Sequence, residues 1–132
     1  MKKINLACIV DDDPIQVFLC ENYLKMSGLI ENIMILRDGK EAYEKFKAIF
    51  LSGQSLPEVV LLDLNMPIWD GWQFLDEFTT IPVDKKITIF ILTSSIDKRD
   101  MERAKKYKEV SNYIVKPVTM KTLKRLLEEV VN

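Results

Sequence analysis

Five positions in this 132-residue chain carry groups able to act together: Asp11, Asp12, Asp63, Thr93 and Lys116. Each stands at the end of a short apolar run. Ile4–Val10 precedes the paired aspartates, Val59–Leu62 precedes Asp63, Ile87–Leu92 precedes Thr93 and Tyr113–Val115 precedes Lys116. Three carboxylates within about 5 Å of one another repel by roughly 3 kcal/mol per pair at an effective dielectric near 20. Such a cluster requires a cation. Lys116 supplies one charge, and a bound Mg²⁺, which suits one or two carboxylates, waters and phosphate oxygens, supplies two. Histidine is absent, so any metal is held by oxygens, and Ser-His-Asp and Cys-His catalysis are excluded. A carboxylate beside Mg²⁺, a lysine and a hydroxyl can act as a nucleophile toward phosphorus. The metal and Lys116 would neutralise the equatorial oxygens during in-line transfer, with Thr93 donating a hydrogen bond to the phosphoryl group.

For these groups to meet, the apolar runs must be strands of one sheet with their carboxyl ends at one edge. Val59-Val60-Leu61-Leu62 is a continuous apolar run, the signature of a strand buried on both faces of a parallel sheet. Pro67 and Gly71 end the extended stretch, and Asp70 can cap the next helix. Ile4–Val10 reads as the first strand. Asp13 and Pro14 start a helix that runs to about Ser27, presents Ile15, Phe18 and Leu19, and closes at Gly28. Ile33–Leu36 reads as a short second strand. From near Gly39, Ala42, Phe46, Ile49 and Phe50 fall on one helical stripe, followed by the longest loop, Ser52–Pro57. A third helix from about Asp70 buries Phe74, Leu75 and Phe78. Ile87–Leu92 is strand four, and a charged helix starts near Asp97. Tyr113–Val115 is strand five, and a last helix from about Thr119 shows Leu123, Leu126, Leu127 and Val130. Five alternations predict an α/β doubly wound parallel sheet with right-handed crossovers. The carboxyl edge of such a sheet is where ligands bind.

Composition bounds the rest. Hydrophobic residues make up 48% and charged residues 30%, with a net charge of −1, so no basic field points to nucleic acid. Cys8 and Cys20 have no metal-ligand spacing and read as buried thiols in a reducing compartment. Met1-Lys2-Lys3 followed by apolar residues superficially suggests an export signal. The apolar part is short, contains Asn5 and runs into three aspartates, and no segment is long enough for a membrane span. A single cytoplasmic domain over 1–132 is the expectation.

Asp11-Asp12, Asp63 with Met66-Pro67 and Asp70-Gly71, Thr93 and Lys116-Pro117 together resemble the receiver domain of two-component response regulators, most closely the stand-alone, CheY-like kind. The resemblance covers essentially the whole chain. It implies a flavodoxin-like five-stranded sheet of order 2-1-3-4-5 with five helices. It implies that Asp63 accepts a phosphoryl group from a sensor histidine kinase or phosphotransfer protein. Asp12, Asp63 and the backbone carbonyl of Asn65 then ligate Mg²⁺, and Asp11 holds its waters. Thr93 and Tyr113 match the switch pair, and Lys116 matches the phosphate-contacting lysine, with a cis Lys116-Pro117 bond. Such a protein catalyses only its own phosphorylation and dephosphorylation. It signals to a downstream protein through the face of helix four, strand five and helix five, without nucleic acid or membrane. Ser94 stands where the family often has alanine, Asp13 adds a third acid, and the loop at Ser52–Pro57 looks longer than in the minimal type.

Other readings compete at single positions. Asp13 reads as a helix cap rather than a ligand. Tyr113 alone would be a half-buried strand aromatic, and Trp69 and Trp72 flank a turn and read as partly packed. The helix with Lys98, Arg99, Arg103, Lys105, Lys106 and Lys108 also carries Asp97, Asp100, Glu102 and Glu109, which makes a solvated mixed-charge face. Three rival functions remain. An aspartate-nucleophile phosphohydrolase would carry a second aspartate two residues after the nucleophile, where this chain has Asn65. A dinucleotide enzyme would need a glycine-rich loop that Gly28, Gly39, Gly53 and Gly71 do not form. A receiver-like scaffold without phosphorylation would not need the complete acidic set.

Overall fold

The computed structural model describes residues 2–132. Met1, part of the stretch weighed as an export signal, lies outside them. Five strands alternate with five helices: β1 Ile4–Val10, α1 Pro14–Met26, β2 Ile30–Leu36, α2 Gly39–Leu51, β3 Val59–Leu62, α3 Gly71–Phe78, β4 Thr88–Thr93, α4 Lys98–Ala104, β5 Val110–Val115 and α5 Met120–Val131. All pairings are parallel, in the order β2-β1-β3-β4-β5. The expected flavodoxin-like topology is the one observed. Among the described residues no helix is long and apolar enough to cross a membrane.

The strands are apolar on both faces because helices cover both. Cys8, Val10, Val60, Leu62, Ile89 and Ile91 pack toward α2 and α3 around Phe46, Phe74 and Phe78. Their neighbours Ala7, Ile9, Val59, Leu61, Phe90 and Leu92 pack toward α1 and α5 around Leu24, Leu123 and Leu127. Phe46 meets Phe74 and Phe78 edge-on, each at a ring separation of 5.7 Å. Every helix opens on a side-chain cap: Asp13, Asp38, Asp70, Asp97 and Thr119 each accept a backbone N–H from the first turn.

Several expectations need correction. The buried stripe of α1 is Val17, Cys20 and Leu24, whereas Ile15 and Phe18 are 68% and 62% exposed. Helical spacing alone leaves two apolar stripes on α1, and packing against the sheet and α5 decides which one is covered. β2 starts at Ile30 and β5 at Val110, three residues earlier than their apolar patterns suggest. Edge strands carry exposed polar residues such as Glu31, Asn32 and Ser111, which hides them from an apolar count. β4 is shifted by one residue and includes Thr93.

Candidate functional site

The sheet's hydrogen bonds carry the chemistry-bearing residues to one edge. Asp11 follows β1 and donates its N–H to Leu36 O at 3.0 Å, and Asp63 follows β3 and donates its N–H to Val10 O at 3.0 Å. Lys116 follows β5 and donates its N–H to Thr93 O at 2.8 Å. Adjacent parallel strands that end together thus deliver three charged groups to one place.

Asp11 is 3% exposed and Asp63 6%, while Asp12 is exposed. One oxygen from each of these three carboxylates lies within 4.8 Å of the others. The Lys116 ammonium bridges the buried pair, donating to Asp11 Oδ2 at 3.1 Å and to Asp63 Oδ2 at 3.4 Å. Burial and the charge of Asp11 hold the Asp63 carboxyl above its ordinary value, against the pull of Lys116. Burial pulls Lys116 down, but Asp63 and Asp11 together outweigh it, and the net shift is upward. Three carboxylates and one ammonium leave two uncompensated negative charges. All donors are oxygens, and Asp12 opens the cluster to solvent. This set fits a hard divalent cation such as Mg²⁺.

Turn geometry holds Asp63 in place. Its Oδ1 accepts the N–H of Asn65 at 3.3 Å. Gly71 donates its N–H to Leu64 O at 2.9 Å. A Cβ on Gly71 would sit 2.6 Å from Asp63 O and 2.9 Å from Leu64 Cα, so only glycine lets α3 start this close to the acidic residue. Gly39 plays the same part for α2, where a Cβ would sit 2.7 Å from Trp69 O. Asp13 donates its N–H to Asp11 Oδ1 at 2.9 Å and caps α1, as expected of a cap rather than a ligand.

Residues 7–128 match the family described as the response regulator receiver domain. The chain belongs to that family. Two relatives are FilR2 of Methanothrix harundinacea, a probable methanogenesis regulatory protein, and the chemotaxis protein CheY1 of Helicobacter pylori. FilR2 is 33% identical over 95% of this chain and 80% of its own length. CheY1 is 32% identical over 92% of this chain and 93% of its own. The crystal structure of a two component response regulator from Cytophaga hutchinsonii superposes with a TM-score of 0.88 at 32% identity, covering 99% of both chains.

In this receiver the fully buried Thr93 lies at the end of β4. Its Oγ1 accepts the N–H of Ser95 at 3.3 Å, and Tyr113 Oη donates to the Ser95 carbonyl at 2.9 Å. The two expected switch residues therefore meet through a third residue, not directly. Lys116-Pro117 is cis, as the resemblance implies. Asn65 is exposed, and the contact observed for it is its N–H to Asp63.

The sequence reading missed a second cluster. Trp72 is buried, stacks on Tyr107 at 6.0 Å and lies under the Arg103 guanidinium at 4.5 Å. Tyr107 donates its hydroxyl to Asp76, which also pairs with Arg103 at 3.8 Å. Trp72 is thus more than partly packed, and the charged face of α4 is not wholly solvated. Trp72 and Arg103 are 31 positions apart in the chain, and no local pattern links them.

Proposed function

We propose that the chain is a phosphorylation-dependent signalling switch in which Asp63 accepts a phosphoryl group in a Mg²⁺-dependent reaction. The observation that carries this reading is the Lys116 ammonium shared between two buried carboxylates, beside a third that is open to solvent. Asp11, Asp12, Asp63 and the carbonyl of Asn65 are the groups that would hold the ion. Bound Mg²⁺ supplies positive charge for the oxygens of the transferring phosphoryl group. The Asp63 carboxylate attacks phosphorus, the bond from phosphorus to the donor's histidine nitrogen breaks, and its electron pair stays on the imidazole. Lys116 then exchanges its hold on the free carboxylate for the new phosphoryl oxygens, and Thr93 offers its hydroxyl from the neighbouring strand.

The donor on this reading is a sensor histidine kinase or a phosphotransfer protein. The exposed Ile15 and Phe18, on the first turns of α1 beside Asp11–Asp13, suit apolar contact with it. The receiver domain is taken as 1–132, acting on itself rather than turning over a separate substrate. The output is a protein contact through the face of α4, β5 and α5.

The test is incubation with acetyl phosphate, with and without Mg²⁺, followed by mass mapping of the modified residue. A Mg²⁺-dependent gain of one phosphoryl mass on Asp63 is expected. A gain on another residue, or one indifferent to the metal, overturns the assignment.

A further inference from the structure

Seven residues make α4, and only Ala104 among them is buried. A helix this short is not stable by itself, and one buried methyl group adds little hydrophobic hold. Polar and aromatic contacts must fasten it. At its carboxyl end Arg103 lies on Trp72. At its amino end the fastening is Ser95. The Ser95 hydroxyl donates to Asp100 Oδ2 at 2.6 Å, in the first turn of α4, and accepts the N–H of Asp97 at 3.3 Å. The backbone of the same residue reaches the other way. Its N–H goes to Thr93 Oγ1 and its carbonyl takes the Tyr113 hydroxyl. Ser95 is therefore bonded at once to both switch residues and to the helix whose face is the output surface.

We propose that Ser95 is a positioning residue whose side-chain bond to Asp100 transmits the state of Asp63 from Thr93 and Tyr113 to α4. The inference rests on Asp63 being the phosphoacceptor. Tyr113 is docked on the Ser95 carbonyl in this structure. A phosphoryl group accepts the Thr93 O–H, and as it draws that hydroxyl toward itself the oxygen moves relative to the Ser95 N–H it accepts. Release or retention of that bond shifts the Ser95 peptide. The hydroxyl–carboxylate bond, a short charge-assisted one, passes the shift to the first turn of α4. Without the hydroxyl the loop can move and α4 need not follow.

The experiment is hydrogen exchange of the α4 amides with Mg²⁺ present, with and without beryllofluoride as the phosphoryl mimic. It compares wild type, Ser95→Ala, Asp100→Ala and Ser95→Thr, and beryllofluoride affinity is measured for each. Ser95→Ala keeps the backbone bonds to Thr93 and Tyr113 and removes the hydroxyl's bonds to Asp100 and to the Asp97 N–H. It should bind beryllofluoride as wild type does, exchange α4 amides about tenfold faster without the mimic, and lose the change that the mimic produces there. Asp100→Ala, which leaves the Asp97 bond in place, should also lose the response to the mimic, the double variant should do no more than Ser95→Ala alone, and Ser95→Thr should restore the response. If Ser95→Ala speeds exchange equally with and without the mimic, so that the ratio stays at the wild-type value, Ser95 is only structural and the proposal fails. If wild type itself takes no beryllofluoride, the phosphoacceptor reading fails and this proposal falls with it.

Discussion

The two ends of the sheet present opposite kinds of surface. At the carboxyl end, two buried aspartates, one open aspartate and a lysine are packed into a few ångströms. At the amino end lies a hollow of about 670 Å³ lined by residues including Asn5, Phe50, Leu56, Pro57 and Ile87. A second hollow of about 630 Å³ lies beside it around Phe78, Val83, Lys86 and Lys108. Both hollows lie away from the charge cluster. Concavity here follows the length of the connections at 52–58 and 79–87. Chemistry follows strand polarity, because parallel strands gather their carboxyl ends, and the capped amino ends of the helices, at a single edge. These hollows lie at the opposite end of the sheet from the charge cluster.

The strongest way to break that contrast is to exchange the two ends' roles in an assay. Asp63→Asn should abolish the Mg²⁺-dependent phosphoryl adduct altogether. Lys86→Ala, on the rim of both hollows, should leave its yield within about twofold, since surface changes away from buried features are typically worth less than 0.5 kcal/mol. Intact-protein mass measurement after acetyl phosphate treatment decides both. Loss of the adduct in Lys86→Ala would mean that the amino-terminal hollow takes part.

Glycine substitutions sharpen the comparison next. Gly71→Ala forces a methyl group against the backbone of Asp63 and Leu64. It should cost about 3 kcal/mol and roughly 10 °C of melting temperature. Gly53→Ala, at the other end, has open space around its Cβ and a φ of +79. It should cost only about 1 kcal/mol, from backbone strain. Thermal melts of both variants test whether the acidic edge is the tightly built one. Equal losses would say that it is not.

Charge relief comes third. Without Mg²⁺, Asp12→Asn should raise the melting temperature by roughly 2–5 °C, since it removes a repelling carboxylate from the cluster. Its response to added Mg²⁺ should shrink. The pH dependence has a definite sign. A carboxyl held above its ordinary value favours the fold while protonated. That contribution is complete below the unfolded value of about 3.9 and is lost as pH rises through the folded one. Asp63 is such a group. The excess melting temperature of Asp63→Asn over wild type, measured without Mg²⁺, should therefore widen from about pH 4 to about pH 7. A gap that narrows over this range would contradict the upward shift.

The smallest expected effect lies in the loop between β3 and α3. Ile68 has a φ of 67 and is 73% exposed. A β-branched residue in the left-handed region is strained by about 1–2 kcal/mol. Ile68→Gly should recover about 1 kcal/mol, net of the extra chain entropy of glycine, and raise the melting temperature by roughly 3 °C. Destabilisation instead would show that the isoleucine side chain holds this loop.

Much of this protein was legible in its residues. Both-face apolar runs such as Val59–Leu62 read as central parallel strands, and the residue after such a run lies at the carboxyl edge, where α/β sheets bind ligands. Asp11, Asp12, Asp63 and Lys116 could therefore be placed at one edge before any coordinates. Local caps such as Asp13 and Asp70 were readable because they act within one turn. The edge strands were readable only in part, since Glu31 and Ser111 face outward and break the apolar pattern. Three features belong to the tertiary structure alone. α1 has two apolar stripes, and packing against the sheet and α5 chose Val17, Cys20 and Leu24 over Ile15 and Phe18. The contacts of Trp72 with Tyr107 and Arg103 join residues from separate elements. Ser95 is one hydroxyl in a Thr93-Ser94-Ser95 run, and only the approach of β5 brings the Tyr113 hydroxyl to its carbonyl. The physical reason is one of range: strand ends and caps are set by contacts within a few residues, whereas the choice of a covered face or a bridging side chain depends on what another part of the chain brings alongside.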